Sequence, residues 1–256
     1  MPGINSLFDS DYTIVATLKS ITDTNDFCNA YNHYNNYNGL RLGQRIFIKG
    51  DYNKLTGGDY WYIAGFDCEF DNVAMDGTSN NNGYGICLIP TSPLIHFDNR
   101  AWTYNSTSTP YISSNAHMSL LPLLTSSLIQ SSLGDHLINR NVLLSSKTNS
   151  TSGKSTTYTW TTAYCTLMSV GQITGEFSIY KTKYDDGEAN YKLPLFNYFN
   201  PSVISYPIYT RCIYGKSSSG DYRIYYVGKA TTGPEVQVFT CTQNEEIYII
   251  PLIYIR

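Results

Sequence analysis

The sequence predicts one mixed α+β domain, with helical signals near the N-terminus and short strands dominating the C-terminal third. Three observations support this fold class. Apolar residues recur at helical spacing in residues 10–39 and 118–129, whereas short apolar runs bounded by Gly, Pro or Asn fill most of the remainder. The chain has 256 residues, near the upper size of one domain. No linker or internal repeat divides it, so we expect a single folding unit.

Residues 1–39 predict two short helices. Ser10 or Asp11 is placed to cap the first, and Thr24 or Asn25 the second, which ends before Gly39. We therefore expect residues 1–39 to form a helical docking segment ahead of a main domain at 40–256. The second helix interleaves Tyr with amide side chains, and three of these rings are candidate assembly contacts: Tyr31, Tyr34 and Tyr37.

The middle of the chain predicts three strands and one clear helix. The strands lie at 41–49, 59–67 and 84–89, separated by a Gly turn at 54–58 and a Gly/Asn loop at 73–85. Helical spacing is then carried by Met118, Leu121, Leu124, Leu128 and Ile129. Pro122 suits the first turn of this helix, and Gly134 is placed to end it.

The C-terminal half predicts strands separated by polar loops. The segment 141–144 has β character, and residues 145–157 form a Ser/Thr/Lys stretch without an apolar anchor, which predicts a mobile loop. A short helical turn is expected at 166–170. Further strands are predicted at 209–213, 222–227, 235–240 and 247–255.

Composition excludes several classes of protein. Charged residues make up 14% of the chain and the formal net charge is −3, so there is no basic field for nucleic acid. Aromatic residues, also 14%, exclude disorder, and the longest apolar run, 247–255, is too short to span a membrane. The N-terminus lacks the pattern of a secretory signal, which predicts synthesis in a reducing cytoplasm. The six Cys occur singly and are therefore expected to be buried thiols.

No catalytic or cofactor motif is present, and we expect neither a catalytic residue nor a cofactor. The four His stand apart, so a His-based metal site is not expected. Three carboxylates around a turn glycine are weak calcium candidates: Asp185, Asp186 and Glu188. Asp-Gly is foremost a turn signal, so a solvated turn is the favoured interpretation.

Tyrosine is the most distinctive residue, with 24 copies. Tyr222, Tyr225 and Tyr226 cluster on one predicted strand. Tyr supplies a large contact area with a polar tip, which suits a binding surface. The alternative is that these rings pack the rim of a sheet, which is favoured for strand positions.

The C-terminal third carries a resemblance to a known family. The motif Tyr-Thr-Arg-Cys at 209–212, a Ser/Gly loop, Tyr-Arg-Ile-Tyr-Tyr-Val-Gly at 222–228 and Pro-Leu-Ile-Tyr-Ile at 251–255 resemble a C-type-lectin-like domain family related to the sulfatase-modifying-factor fold. This family, of unassigned function, occurs in gut Firmicutes proteins and in virion proteins of their phages and of crAss-like phages. Similar segments continue upstream to about residue 40. Tyr209 and Ile250 depart from the family's usual Trp and Arg.

The resemblance implies a C-type-lectin-like α+β fold, with helices packed on small antiparallel sheets and long loops. It implies a non-enzymatic virion structural protein: a head fibre, a capsid decoration or a tail-associated component, made in the bacterial host cytoplasm. Its partners would be other capsid or tail proteins and further copies of itself. The loops at 71–83, 145–157 and 215–221 are candidates for a host-recognition surface.

Two alternatives remain open. One is a carbohydrate- or receptor-binding module for a host-surface glycan, with candidate ligand-binding residues Trp102, Tyr104, Tyr222 and Tyr225. Against it, all three tryptophans (Trp61, Trp102 and Trp160) can be core residues. The other is an enzyme related to the sulfatase-modifying factors, which requires reactive thiols at Cys212 and Cys241.

Overall fold

The structure is a computed structural model, and it describes the following residues: 12–13, 42–43, 45–48, 60–66, 72–74, 79–80, 86–97, 110–130, 133–175, 188–189, 192–198, 207–230, 233–241 and 247–255. About half of these residues lie in strands and fewer than a quarter in helices. The described part of the protein is therefore mostly β, and the predicted α+β, C-type-lectin-like class is wrong.

The strands are numbered in chain order: β1 (Tyr12–Thr13), β2 (Arg45–Phe47), β3 (Tyr60–Phe66), β4 (Asn72–Ala74), β5 (Ser79–Asn80), β6 (Ile86–Pro90), β7 (Leu94–Phe97), β8 (Arg140–Thr148), β9 (Ser155–Ala163), β10 (Cys165–Leu167), β11 (Glu188–Ala189), β12 (Ile208–Lys216), β13 (Tyr222–Ala230), β14 (Gly233–Thr240), β15 (Ile247–Ile249) and β16 (Pro251–Ile255). The helices are α1 (Leu121–Ile129), α2 (Val170–Thr174) and α3 (Leu195–Tyr198). A π-helical turn at Ala116–Leu120 leads into α1, and 3₁₀ turns lie at Tyr111–Ser113 and Gly134–His136.

A six-stranded sheet of order β1-β2-β3-β6-β16-β10 organises the fold. The β1–β2 pair is parallel and the other neighbours are antiparallel. All five residues of β6 and all five of β16 are buried. Such strands are covered on both faces, which explains their continuous apolar sequences. The strands predicted at 59–67, 84–89 and 247–255 are confirmed, although the last is divided into β15 and β16.

Helix α1 confirms the predicted third helix. Leu121, Leu124 and Leu128 are buried in the main core, and Pro122 lies in the first turn. The helix ends at Ile129 rather than at Gly134, which has a φ of 50° and begins a separate 3₁₀ turn. One apolar cluster includes residues of α1, the six-stranded sheet and the strands β12 to β14, so these elements share a core.

Three local predictions are corrected. Residues 145–157 are not a mobile loop: β8 and β9 form an antiparallel hairpin, with Ser145 opposite Tyr158 and Thr148 opposite Ser155. The turn predicted at 166–170 is instead the end of β10 followed by the start of α2. Within 1–39 only residues 12–13 are described, and they pair with β2 as a strand rather than lying in a helix. The remainder of that segment lies outside the described residues.

Candidate binding surface on the C-terminal sheet

Strands β12, β13 and β14 form a three-stranded antiparallel sheet whose two faces lie in different environments. Tyr222, Ile224 and Tyr226 alternate on one face of β13 and pack on or within the main core. Tyr209 of β12 meets the Phe239 ring edge-on at 5.2 Å between centroids on this same side. Arg223 and Tyr225 therefore point to the opposite face, which holds the candidate surface.

The turn between β12 and β13 is fixed by its own hydrogen bonds. The Ser217 backbone N–H donates to the Asp221 carbonyl at 2.8 Å, and the Gly220 N–H donates to the Ser217 carbonyl at 3.0 Å. The Ser219 hydroxyl donates to the Asp221 carboxylate at 2.6 Å. Gly220 has a φ of 91°, which other residues rarely adopt. This turn sets the register that brings Arg223 beside Tyr214.

The outer face carries an aromatic and cationic patch formed by Tyr214, Arg223, Tyr225 and Val238. Tyr214 and Val238 are exposed, whereas Arg223 and Tyr225 are half-buried and Tyr225 also packs against the buried pair of Val170 and Cys212. The Tyr214 and Tyr225 rings meet edge-on, with centroids 5.3 Å apart and planes at 77°. The Arg223 guanidinium lies over the Tyr214 ring, 4.5 Å from its centroid. Tyr214 is 36% exposed, and Val238, opposite Tyr225 in the sheet, is 39% exposed. Rigid aromatic rings with a stacked cation suit the apolar face of a sugar or a peptide side chain.

Backbone contacts hold Arg223 in place within this patch. Its Nη2 donates to the carbonyl of Lys216 at 2.9 Å, across the β12–β13 pair. Its Nε is buried, and it has no hydrogen-bond partner among the described residues. The guanidinium is therefore positioned by one backbone acceptor and by the Tyr214 ring, which favours a fixed orientation of the patch.

The tips of the two hairpins dock on each other next to this sheet. The Lys216 backbone N–H donates to the Ser152 carbonyl at 2.8 Å, and its Nζ donates to the Ser150 carbonyl at 2.9 Å. The hydroxyls of Thr148 and Tyr222 are 3.1 Å apart, within hydrogen-bond distance. The predicted loop regions 145–157 and 215–221 thus meet, but as ordered hairpin ends. The third, 71–83, is described only at 72–74 and 79–80.

A buried arginine, Arg211, links β12 to strand β10 and helix α2. Arg211, only 2% exposed, donates through Nη1 to the Leu167 carbonyl at 2.8 Å and to Gln172 Oε1 at 3.2 Å. Gln172 also completes the capping box of α2, accepting from the Ser169 N–H. In the sequence Arg211 stands only within the Tyr-Thr-Arg-Cys motif at 209–212, and nothing there predicts that it braces β12. The next residue, Cys212, is small and buried against Val170, so it does not indicate the role of Arg211 either.

The structure separates the tyrosines predicted to bind a ligand. Tyr222 is 6% exposed and lies in the core, so it braces the hairpins and offers little surface to a ligand. Tyr225 is half-buried and belongs to the patch. Trp61 is fully buried, and Trp160 is half-buried on β9. The sequence did not predict three residues of the patch, because a strand sequence alone does not say which of its faces is covered. These residues are Tyr214, Arg223 and Val238.

The other predicted sites lie largely outside the described residues. This applies to Trp102, Tyr104, Tyr31, Tyr34, Tyr37, Asp185 and Asp186. Glu188 is described only as a backbone position in β11, paired with β4. Across the part of the chain that the structure describes, no cluster of His, Cys, Asp and Glu could hold a metal ion. None of the helices in that part is long and apolar enough to cross a membrane.

The described cysteines are buried thiols: Cys87, Cys165, Cys212 and Cys241. Burial raises the pKa of Cys241 to about 12, and it also raises the pKa of Cys165. Cys212 packs with Val170, whereas Cys241 belongs to the main core, so the two thiols lie in different apolar clusters. A raised pKa keeps a thiol protonated at neutral pH and lowers its reactivity.

The sequence matches no family model, and no curated protein or solved structure is found to match it.

Proposed function

We propose that this chain is a non-enzymatic structural component of a bacteriophage particle: a head fibre, a capsid decoration or a tail-associated protein. It would be made in the cytoplasm of the bacterial host and held in the particle by capsid or tail proteins. The family resemblance of residues 40–256 motivates the proposal. The structural observation that carries it is the apolar outer face of α1.

Helix α1 and its preceding turn expose large apolar side chains. Met118 is 63% exposed, Leu123 is 52% exposed and Ile129 is 43% exposed. No acidic or basic side chain lies on α1, and the preceding turn contributes only His117. The buried stripe of Leu121, Leu124 and Leu128 lies on the other side of the helix. Three large apolar side chains exposed within twelve residues exceed the single exposed residues that are common on protein surfaces, and such residues are typical of sites that a partner covers.

The hydroxyl groups on α1 strengthen this interpretation. Thr125, Ser126 and Ser127 each donate to the carbonyl four residues earlier, at 2.8, 3.0 and 3.3 Å. Their donor groups are therefore satisfied within the helix. Covering these three hydroxyls would leave none of their donors without a partner, which lowers the cost of removing them from water. Such a surface suits a lasting contact in an assembly.

A charge placed on this face tests the proposal. Intact phage particles would be isolated by density gradient from cells that produce either wild-type chain, Leu123→Glu or Ser218→Glu, and the bound chain would be counted by mass spectrometry. Ser218 is exposed in the β12–β13 turn and provides the same charge elsewhere. We expect wild-type and Ser218→Glu chain in the particles and at least a tenfold loss for Leu123→Glu. Absence of the wild-type chain from the particles would refute the proposal.

A second candidate function, a carbohydrate- or receptor-binding module, is favoured by the Tyr214–Arg223–Tyr225 patch. Both functions are compatible, since a particle protein can present a binding face. On a glycan array, binding by this patch predicts a signal that falls at least tenfold in Tyr225→Ala. The matched control is Tyr158→Ala, which removes a half-buried Tyr from β9 outside the patch. Equal loss in both variants would assign the binding elsewhere.

The third candidate, an enzyme related to the sulfatase-modifying factors, gains no support from the thiols. It requires Cys212 and Cys241 to react, but both side chains are buried and they pack in separate clusters. Titration of the native protein with a thiol reagent at pH 8 would favour this candidate only if both cysteines react before unfolding.

A further inference from the structure

The turn before α1 places a histidine beside the exposed apolar face of that helix. His117 lies in the π-helical turn Ala116–Leu120, between the fully buried Ala116 and the exposed Met118. This turn closes its last hydrogen bond across five residues, because the Leu121 N–H donates to the Ala116 carbonyl. Such π-helical turns are rare and are frequently found at functional sites. Any change in this turn moves Met118, which belongs to the face proposed for assembly.

Contacts of His117 join this turn to the 3₁₀ turn at Tyr111–Ser113. The imidazole ring packs on the Tyr111 ring, with centroids 5.3 Å apart and planes at 51°. The His117 backbone N–H donates to Oγ of the fully buried Ser114 at 3.2 Å. The carbonyl of Ser114 in turn accepts from the Met118 N–H at 2.8 Å. The position of the His117 ring is therefore coupled to the backbone that carries Met118.

The Nδ1 atom of His117 is buried, and it has no hydrogen-bond partner among the described residues. A neutral imidazole fits this position, because one of its two ring nitrogens carries no proton. The imidazolium form carries a proton on both nitrogens, so protonation would place an unpaired donor and a positive charge at a buried site. Burial accordingly lowers the pKa of His117 from its ordinary value of 6.5. The closed turn therefore favours the neutral ring.

The titratable and charged groups described around the turn do not favour the imidazolium. The elements packed most closely against the turn are α1, whose residues include no titratable side chain, and the 3₁₀ turn, which contributes the Tyr111 phenol. Burial raises the pKa of Tyr111, so the phenol carries no negative charge at neutral or acidic pH. The Arg211 guanidinium and the Cys165 thiol lie near this phenol, and Arg211 repels a second positive charge. Attraction between the imidazolium and the Tyr111 ring is weaker than the cost of the buried, unpaired charge.

We propose that His117 is an acid-sensitive switch, whose protonation opens the turn Ala116–Leu120 and thereby displaces Met118 from the apolar face of α1. The opened turn exposes Nδ1 to water, so it binds the proton more tightly than the closed turn does. Opening therefore becomes more favourable as the pH falls through about 6.5, the ordinary pKa of a histidine. Between pH 7.5 and pH 5.5 the open fraction rises about tenfold at most. The switch is a property of the chain alone, whereas acid release from a particle rests on the proposed function.

Hydrogen exchange in the isolated full-length chain tests the switch. The Met118 amide reports on the turn, and the Ile253 amide, in β16 between β6 and β10, reports on unfolding of the whole protein. After correction for intrinsic exchange rates, we expect the protection of Met118 to be lower than that of Ile253 and to fall about threefold to tenfold from pH 7.5 to pH 5.5. His117→Phe keeps an aromatic ring on Tyr111 but cannot titrate, so this fall should disappear. His136→Phe, which removes a half-buried histidine from another short turn, should retain it.

The wild-type chain also gives a readout that needs no substitution. The NMR signals of the His117 imidazole should titrate at lower pH in the folded chain than in the chain unfolded by urea. Titration at the same or a higher pH would overturn the proposal. Equal protection of Met118 and Ile253 would also overturn it, because the turn would then open only with the whole protein. A fall in protection that is absent from the wild type, or that persists in His117→Phe, would have the same meaning.

Acid treatment of isolated particles tests the consequence for assembly. Particles that carry wild-type or His117→Phe chain would be washed at pH 7.5 and at pH 5.5, and the released chain would be measured by mass spectrometry. We expect the release of wild-type chain to be at least about threefold greater at pH 5.5, with no such increase for His117→Phe. Equal release of both chains would overturn acid control of the contact. Absence of wild-type chain from the particles at pH 7.5 would refute the proposed function, and the exchange measurements would still decide the switch.

Discussion

Leu123 and Leu124 are adjacent on α1 but lie in opposite environments. Leu124 is fully buried in the main core, whereas 52% of Leu123 is exposed. Leu124→Ala removes about three buried carbon groups, worth about 2.4 kcal/mol at about 0.8 kcal/mol each, and leaves a cavity. We therefore expect the free energy of unfolding to fall by about 3–4 kcal/mol. Urea unfolding followed by circular dichroism measures this loss.

Leu123→Ala is the matched control for this measurement. About half of its side chain is in water, so the loss is about 1 kcal/mol at most, and the higher helix propensity of Ala offsets part of it. Losses of equal size in the two variants would show that the faces of α1 are assigned wrongly. The apolar face proposed for assembly would then belong to the core, and the proposed function would lose its structural support.

The remaining predictions concern the docked hairpins and the buried thiols. Gly153 has a φ of +69°, and a Cβ there would lie 2.6 Å from Lys216 Cγ, whereas Gly220 at +91° has open space. Gly153→Ala should therefore lower the urea midpoint clearly more than Gly220→Ala, which reports backbone strain alone; equal effects would contradict the docking. Burial raises the pKa of Cys241 from its ordinary 9.0 to about 12. The contribution of the protonated thiol to the stability of the folded state is therefore complete below about pH 9. As pH rises toward 12 the unfolded state loses this proton first, and the free energy of unfolding should fall. Comparing unfolding at pH 8 and pH 10.5, Cys241→Ala should show a smaller loss than the wild type.

Much of the strand and helix pattern could be predicted from the sequence. The continuous apolar runs at 86–90 and 251–255 indicate strands covered on both faces, and both lie inside the six-stranded sheet. The spacing of Leu121, Leu124 and Leu128 likewise places one face of α1 in the core. These signals are local and strong, because each is carried by the side chains that are themselves buried.

The fold class was wrong for an identifiable reason. The Ser/Thr stretch 145–157 has few apolar residues, so it predicts a loop, yet it forms much of the β8–β9 hairpin. There the order comes from partners distant in sequence: Lys216 holds the turn and Tyr222 contacts Thr148. Thr also favours extended backbone even where it is exposed. The segment 165–167 pairs with β16, about 85 residues away, which no local pattern shows.

The candidate surface was only partly predictable. Tyr222 and Tyr225 carry the same sequence signal, but they are three residues apart on a strand and therefore lie on opposite faces. Which face the core covers depends on how the β12–β14 sheet packs against distant strands. Tyr225 falls on the outer face beside Tyr214, and Tyr222 falls inside.

Cryo-electron microscopy of the phage particle tests the proposed function most directly. We expect density for this chain on the particle, with Met118, Leu123 and Ile129 covered by a neighbouring capsid or tail protein. A particle that lacks this chain, or one in which the outer face of α1 is open to solvent, would contradict it.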